Sequence, residues 1–218
     1  MSVVSVSTLK SCVLIMTGWC IVSQTNLSQA AVKDNVPGFR ENPIGHVKAL
    51  LKKYKKPAKS PVLIVQIKTQ KMYYFKNGKL LKRYTISSSK YGIGNAAGSN
   101  KTPLGVHTIK TRFGNGAKKG TIFKARQNTG KIAKIYHDDA PAKADYVTTR
   151  IMWLSGLESG VNSGKNIDSY KRYIYIHGTP EEGRLGRPAS HGCIRMFNSD
   201  VIKLYKKAPV GTLVNIIR

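Results

Sequence analysis

The residues with chemical potential are concentrated in one segment, Tyr173 to Phe197, which reads YIYIHGTPEEGRLGRPASHGCIRMF. An alternating apolar run delivers His177 to a strand end, where Gly178 breaks the pattern. A loop of prolines, glycines and charges follows, and then Ser190-His191-Gly192-Cys193 leads into Ile194-Arg195-Met196. A thiol becomes a useful nucleophile when a base or a positive neighbour favours its thiolate, since an unperturbed cysteine near pKa 8.5 is mostly protonated at neutral pH. His177 and His191 are candidate bases, and Arg195 adds the positive charge. Gly192 lets backbone approach a substrate, so the amides around Gly192 and Cys193 are candidates for an oxyanion hole, with Ser190 beside them. The chemistry this set suits is acyl transfer through a thioester.

Two plainer readings compete. His177, His191 and Cys193 are zinc-ligand types, but no fourth side chain at familiar spacing completes a structural site, so no metal is assigned. Alternatively, His177 is a satisfied strand-end histidine and Cys193 a small core hydrophobe. Both residues stand in glycine-broken, polar surroundings, which favours catalysis over packing.

Cys193 also stands out by what surrounds it in the chain. Residues 1–30 have the features of a secretory signal peptide: Lys10, the apolar run SCVLIMTGWCIVS, and a small-x-small site at Ser28-Gln29-Ala30. The alternative is an uncleaved anchor, although the run is shorter than the roughly 20 apolar residues of a membrane span. Bulky Trp19 before Cys20 argues against lipoprotein processing. If the leader leaves, Cys12 and Cys20 leave with it, and the exported protein keeps Cys193 as a lone thiol in an oxidising compartment.

The elements that must position these residues begin at Val62. Val62–Lys68 is rich in β-branched residues, and Met72–Lys76 and Leu80–Ser87 flank Asn77-Gly78, a type I′ hairpin signal. Further strands are expected at Val106–Thr111, 149–154, 173–177 and Thr212–Ile217, with short apolar pieces at Thr121–Phe123 and Ile132–Tyr136 and a helix over Asp200–Lys207. Residues 31–60 form a basic, proline-punctuated segment. Ile44, Val47, Leu50, Leu51 and Tyr54 recur there at helical spacing, marking either a helix packed on the domain or a basic stalk. The whole reads as a mainly β domain, a sandwich or barrel-like pair of sheets with one or two short helices, over residues 61–218.

The net charge of +27 over 218 residues favours a polyanionic partner. An exported protein meets anionic envelope polymers rather than nucleic acid, and no RNA-binding aromatic motif, helix-turn-helix pattern or zinc-finger spacing is present. Peripheral electrostatic association with the envelope and a simply solvated basic surface are the two readings of this charge, and a nucleic-acid partner is not expected.

The segment from His177 through Ser190, Gly192, Cys193, Ile194 and Arg195 resembles the signature of L,D-transpeptidases with a YkuD-type catalytic domain. Upstream, Ser87–Ser89, Gly94-Asn95 and Thr102-Pro103-Leu104-Gly105 resemble the family's cleft-lining stretch. The resemblance implies a β-sandwich-like domain of mixed sheets, no cofactor, and peptidoglycan stem peptides as substrates in the periplasm or cell wall. It implies that Cys193 attacks the L-centre carbonyl of diaminopimelate in a stem tetrapeptide and expels D-Ala. His177, oriented by the Gly178 carbonyl, would carry the proton, while Ser190, His191, Gly192 and Arg195 would shape the cleft or hold carboxylate. A diaminopimelate amine or a lysine of an anchored envelope protein would resolve the thioester. An L,D-carboxypeptidase using water, and a non-catalytic basic wall-binding protein, are the competing functions.

Overall fold

The computed structural model describes residues 38–218, so the expected leader lies outside the described residues. Ten strands and two helices occur in the order α1 (Pro43–Lys53), β1 (Val62–Gln66), β2 (Lys71–Lys76), β3 (Lys79–Ser87), β4 (Gly105–Phe113), β5 (Thr121–Lys124), β6 (Gln127–Ile132), β7 (Val147–Gly156), β8 (Tyr175–Gly178), β9 (Ile194–Met196), α2 (Asn198–Lys207) and β10 (Leu213–Ile217). The strands form one mixed sheet, β4-β10-β1-β2-β3-β9-β8-β7-β5-β6, and an additional β4–β7 pairing joins its flanks. Eight strands therefore close on themselves, with the β5–β6 hairpin hanging from β7 through Ile122↔Thr148 and Phe123↔Val147. The mainly β architecture expected from the sequence holds, and the ring closes through short contacts, β3 meeting β9 only at Ile86 and Ser87. Two pairings are parallel, β1 with β10 and β8 with β9.

Strand periodicity explains why β1 reads as an unbroken apolar run. Leu63 and Val65 join the large core inside the ring, with Met72, Tyr74, Val214 and Ile216. Val62 and Ile64 face the other way, into a second core with Phe75, Leu213 and the α1 residues Val47, Leu50 and Leu51. A strand covered on both faces has no polar side to show. Of the two readings left open for the 44–55 region, the packed helix is the one found, because its apolar stripe lies against β1, β2 and β10. Asn42 caps α1, its Oδ1 accepting the Gly45 N–H at 2.7 Å, and Pro43 occupies the first helical position. At the other end of the ring, Val201, Leu204 and Tyr205 of α2 join the large core.

Local backbone explains where expected and observed boundaries differ. The β2–β3 turn has positive φ at both Asn77 (53°) and Gly78 (68°), as a type I′ hairpin requires. β8 starts at Tyr175 rather than 173, because Tyr173 sits at φ 56° and cannot continue a strand. β6 is exposed along its whole length and so carries no apolar alternation to betray it. Its turn, Ala125-Arg126, uses two positive-φ residues without the glycine or asparagine that normally marks such a turn.

Candidate functional site

The site lies on the outer face of the parallel β8–β9 pair. Register sets Ile176 beside Ile194 and His177 beside Arg195. Ile174, Ile176, Ile194 and Met196 all belong to the interior core. With a side-chain period of two, Tyr175, His177, Cys193 and Arg195 must then share the opposite face. Cys193 and Tyr175 indeed belong to a separate outer cluster built on Phe123, Ile151 and Trp153. Cys193 is level with Tyr175, and the Tyr175 N–H donates to Sγ at 3.4 Å. His177 is one alternation further along the neighbouring strand, so thiol and imidazole are diagonal neighbours on one face, a separation that side chains can span.

The hydrogen bond of His177 decides its tautomer. Nδ1 lies 2.7 Å from the Gly178 carbonyl oxygen. A carbonyl only accepts, so Nδ1 carries the proton and Nε2 keeps its lone pair. Gly178 must be a glycine here: a Cβ would stand 2.4 Å from Asn198 Oδ1 and 3.0 Å from the Thr148 carbonyl oxygen. Asn198 itself is buried and fully engaged. Its Oδ1 accepts from Thr148 Oγ1 at 2.7 Å and from Thr149 Oγ1, and its Nδ2 donates to the Thr179 carbonyl and Glu182 Oε1, both at 2.7 Å. This network ties β7, the loop after β8, and α2 together directly behind the histidine.

Electrostatics keep both the Cys193 thiol and the His177 imidazole neutral. Burial pushes the Cys193 thiol up to about 12; the Asp145 carboxylate adds to this, while the Tyr175 N–H, Arg195 and Arg172 pull it back. Burial also pushes the His177 imidazole down to about 4, with Arg195 assisting and with Asp145 and the Gly178 carbonyl opposing.

The remaining residues singled out in the sequence divide by function. Ser190 is fully buried and holds the turn before β9: its Oγ donates to the Cys193 carbonyl at 2.7 Å and accepts the Gly192 N–H at 3.2 Å. The Gly192 amide is thus engaged inside its own loop. Gly192 adopts φ 123°, which favours glycine. Its carbonyl accepts from Thr102 Oγ1 at 3.1 Å, and that hydroxyl accepts the Ser89 N–H at 2.9 Å. The stretches around Ser89 and Thr102 therefore do meet the cysteine loop, while Asn95 bonds Leu104 and Val161. Arg195 is buried, with Nη1 on Glu181 Oε2 and Nη2 on Asp145 Oδ1, each at 2.6 Å. Its terminal nitrogens are taken by protein carboxylates, so the expectation that Arg195 holds a substrate carboxylate gives way to that of a buried ion-pair centre. His191 is part-exposed and pairs through Nδ1 with Asp145 Oδ2 at 2.8 Å, away from the thiol.

Sequence reasoning missed Asp145, Glu181, Arg172 and Asn198. Arg172 spans to the 94–101 loop, donating to the carbonyls of Gly94 (3.2 Å), Asn95 (3.0 Å) and Lys101 (2.6 Å). The one available signal was scarcity: with 10 acidic residues against 37 basic ones, an acid in the loop after His177 has a choice of cations. Among the described residues, no group of three or more His, Cys, Asp or Glu side chains is placed to hold a metal ion.

A thiol and an imidazole thus share one sheet face, set there by a parallel strand pair. Comparison with known proteins gives the family. The model of the YkuD family, the L,D-transpeptidase catalytic domain, matches residues 60–216, and the chain belongs to that family. It is 25% identical over 156 residues to the probable L,D-transpeptidase YcfS of Escherichia coli K12, covering 71% of this chain and 43% of that protein. It is 28% identical over 155 residues to the probable L,D-transpeptidase ErfK/SrfK of Salmonella typhimurium, again covering 71% and 43%. A shorter match, 48% over 48 residues, is to the putative L,D-transpeptidase YkuD of Bacillus subtilis, covering 22% of this chain and 29% of that one. The chain thus spans less than half the length of these curated relatives. A solved structure, LdtMt1 in complex with imipenem, superposes with a TM-score of 0.44 at 16% identity, covering 72% of this chain and 59% of that one. The family acts on the peptides of cell-wall peptidoglycan. Helix α1 precedes the matched region yet shares the second core.

Proposed function

We propose that this protein is a peptidoglycan L,D-transpeptidase in which Cys193 is the nucleophile and His177 the proton carrier. The observation that carries the reading is the shared outer face of β8 and β9, on which the His177 Nδ1 is committed to the Gly178 carbonyl. With both groups neutral, proton transfer accompanies attack. As Sγ bonds to the L-centre carbonyl carbon of diaminopimelate, its proton moves to Nε2, and the carbonyl oxygen takes negative charge. On collapse, Nε2–H protonates the departing D-Ala nitrogen and a thioester remains. An incoming amine, from a second diaminopimelate or a protein lysine, then attacks the thioester, gives its proton to Nε2, and the thiol is restored by the return of that proton. Arg195, held by Glu181 and Asp145, lowers the cost of negative charge at sulfur from a fixed position.

Action in the periplasm or cell wall follows from this substrate, and residues 1–30 as an export signal are part of the same proposal. No helix among the described residues is long and apolar enough to cross a membrane. The excess of basic charge supports peripheral association with anionic envelope polymers.

The test is incubation of the mature protein with purified muropeptides, with a Cys193→Ala control. Formation of 3–3 cross-linked dimer with release of D-Ala, abolished in the control, is the expected result. Trimming of tetrapeptide to tripeptide without dimer would instead make the protein an L,D-carboxypeptidase, and no turnover at all would leave a wall-binding protein.

A further inference from the structure

Arg126 is the cation that the reaction described above does not use. It occupies the second position of the two-residue β5–β6 turn, at φ 70°, and is half-buried. Its guanidinium carbon lies 4.7 Å from the Trp153 ring centroid and 5.4 Å from that of Tyr173, and Nη1 donates to Tyr175 Oη at 3.3 Å. Trp153 is itself stacked on Tyr170 at 3.9 Å and on Tyr173 at 5.5 Å, which makes an aromatic shelf in which Trp153 is buried and Tyr173 is the exposed ring. Cys193 packs against this same cluster, and the backbone of Tyr175 donates to its sulfur. The guanidinium is therefore one tyrosine side chain away from the nucleophile.

Its partners are all neutral rings. Arg184, Arg187 and Arg195 each engage an Asp or Glu, whereas among the described residues no carboxylate pairs with Arg126. A guanidinium resting on π faces keeps its in-plane donors directed outward, where they match a carboxylate.

We propose that Arg126 binds the carboxylate at the end of the side chain of the residue whose carbonyl Cys193 attacks, with that side chain's methylenes lying on the exposed ring of Tyr173. This rests on the transpeptidase reading for the identity of the peptide. Reach selects this carboxylate over the alternative. The carboxylate of the departing D-residue is three bonds beyond the attacked carbon, about 4 Å, whereas the side-chain carboxylate of diaminopimelate is about 7 Å away, using ~1.5 Å bonds. Only the second spans a tyrosine's length. Arg126 would then set specificity for a free acid over an amide at that position.

Two synthetic tetrapeptide stems, identical except for a free or amidated side-chain carboxyl, test this. Their dissociation constants are measured by calorimetry on Cys193→Ala protein with and without Arg126→Ala or Arg126→Lys, and turnover is followed separately in protein with an intact thiol. The expected result is a preference for the free acid of about 10- to 100-fold, collapsing to about one in Arg126→Ala and partly kept in Arg126→Lys. Equal binding of the two stems, or an Arg126→Ala loss equal for both, overturns the proposal and leaves Arg126 a structural cap on the shelf. Binding with the predicted preference but without turnover overturns only the catalytic reading. Binding of neither stem overturns both.

Discussion

At Cys193 burial and charge oppose one another, and burial dominates: the thiol is held up to about 12. The free protein should therefore resist generic thiol reagents. Alkylation by iodoacetamide at pH 7.5, followed by intact mass, is expected to run at least about tenfold slower than for an unperturbed thiol and to keep rising through pH 10 without a plateau. A plateau near pH 6 would mean a preformed thiolate–imidazolium pair and would sink the neutral-pair mechanism. Asn198 presents a different residue-scale case. Both ends of its amide are used in a buried site, so Asn198→Ala leaves two threonine hydroxyls and the Thr179 carbonyl without this partner, while Glu182 Oε1 keeps only the backbone N–H of residue 198. A loss of about 2–4 kcal/mol in denaturant unfolding is expected, with kcat falling because the Thr179 carbonyl, next to the Gly178 that orients His177, loses its donor.

Elements contribute by bringing distant loops to one point. The Thr102 hydroxyl joins the Ser89 amide to the Gly192 carbonyl, so one side chain couples the 87–102 stretch to the cysteine loop. Thr102→Val keeps the shape and removes both bonds. We expect about 1–3 kcal/mol of destabilisation and a fall in activity larger than the fall in folded fraction at 25 °C. Helix α1 acts more broadly. Leu50 is buried in the core shared by α1, β1 and β10, and Leu50→Ala should cost about 2–5 kcal/mol. If α1 were a dispensable stalk, the same substitution would leave the unfolding midpoint unchanged. The segment was legible as a helix from its apolar spacing, but what that stripe packs against was not, because the β1 run that receives it looks equally apolar on both faces.

For the molecule as a whole, charge is distributed unevenly along the chain. Residues 42–137 hold 22 lysines and arginines and no acid, so α1 and the first six strands supply basic side chains and no acidic ones. The acids that remain sit mostly around the site, where Asp145, Glu181 and Glu182 anchor its loops. Acid sensitivity follows from the buried histidines. His177 and His107 are both held neutral by burial, down to about 4 against an ordinary 6.5. The unfolded chain binds protons at these groups that the folded chain refuses, so stability is complete above about pH 6.5 and declines as pH falls toward 4. Each is expected to contribute on the order of 2 kcal/mol to that loss. Urea unfolding at pH 7.5 and 4.5 measures it, and His107→Gln should remove about half of the difference. His107, bonded to Gly105 and Ser169, lies outside the His177 network, which keeps the two contributions separable.

The amino-acid sequence by itself determined β1–β4, β7, β8 and β10, and the concentration of His177, Ser190, Gly192, Cys193 and Arg195 in one segment. Those are properties of neighbours a few residues apart, and short-range periodicity and turn chemistry record them. It did not reveal Asp145, Asn198 or Arg126, because an acid in an irregular loop, an amide at a helix start and an arginine at a tight turn look ordinary until the fold places them. Only the tertiary structure decided that Arg195 is consumed by two carboxylates, and that Ser190 holds the loop rather than facing a substrate. The closed ring and the parallel β8–β9 register put these groups within a few ångströms across tens of residues of chain, and burial then fixed which carry charge. Ion pairing and desolvation depend on distance and exposure in three dimensions, which no spacing along the chain encodes.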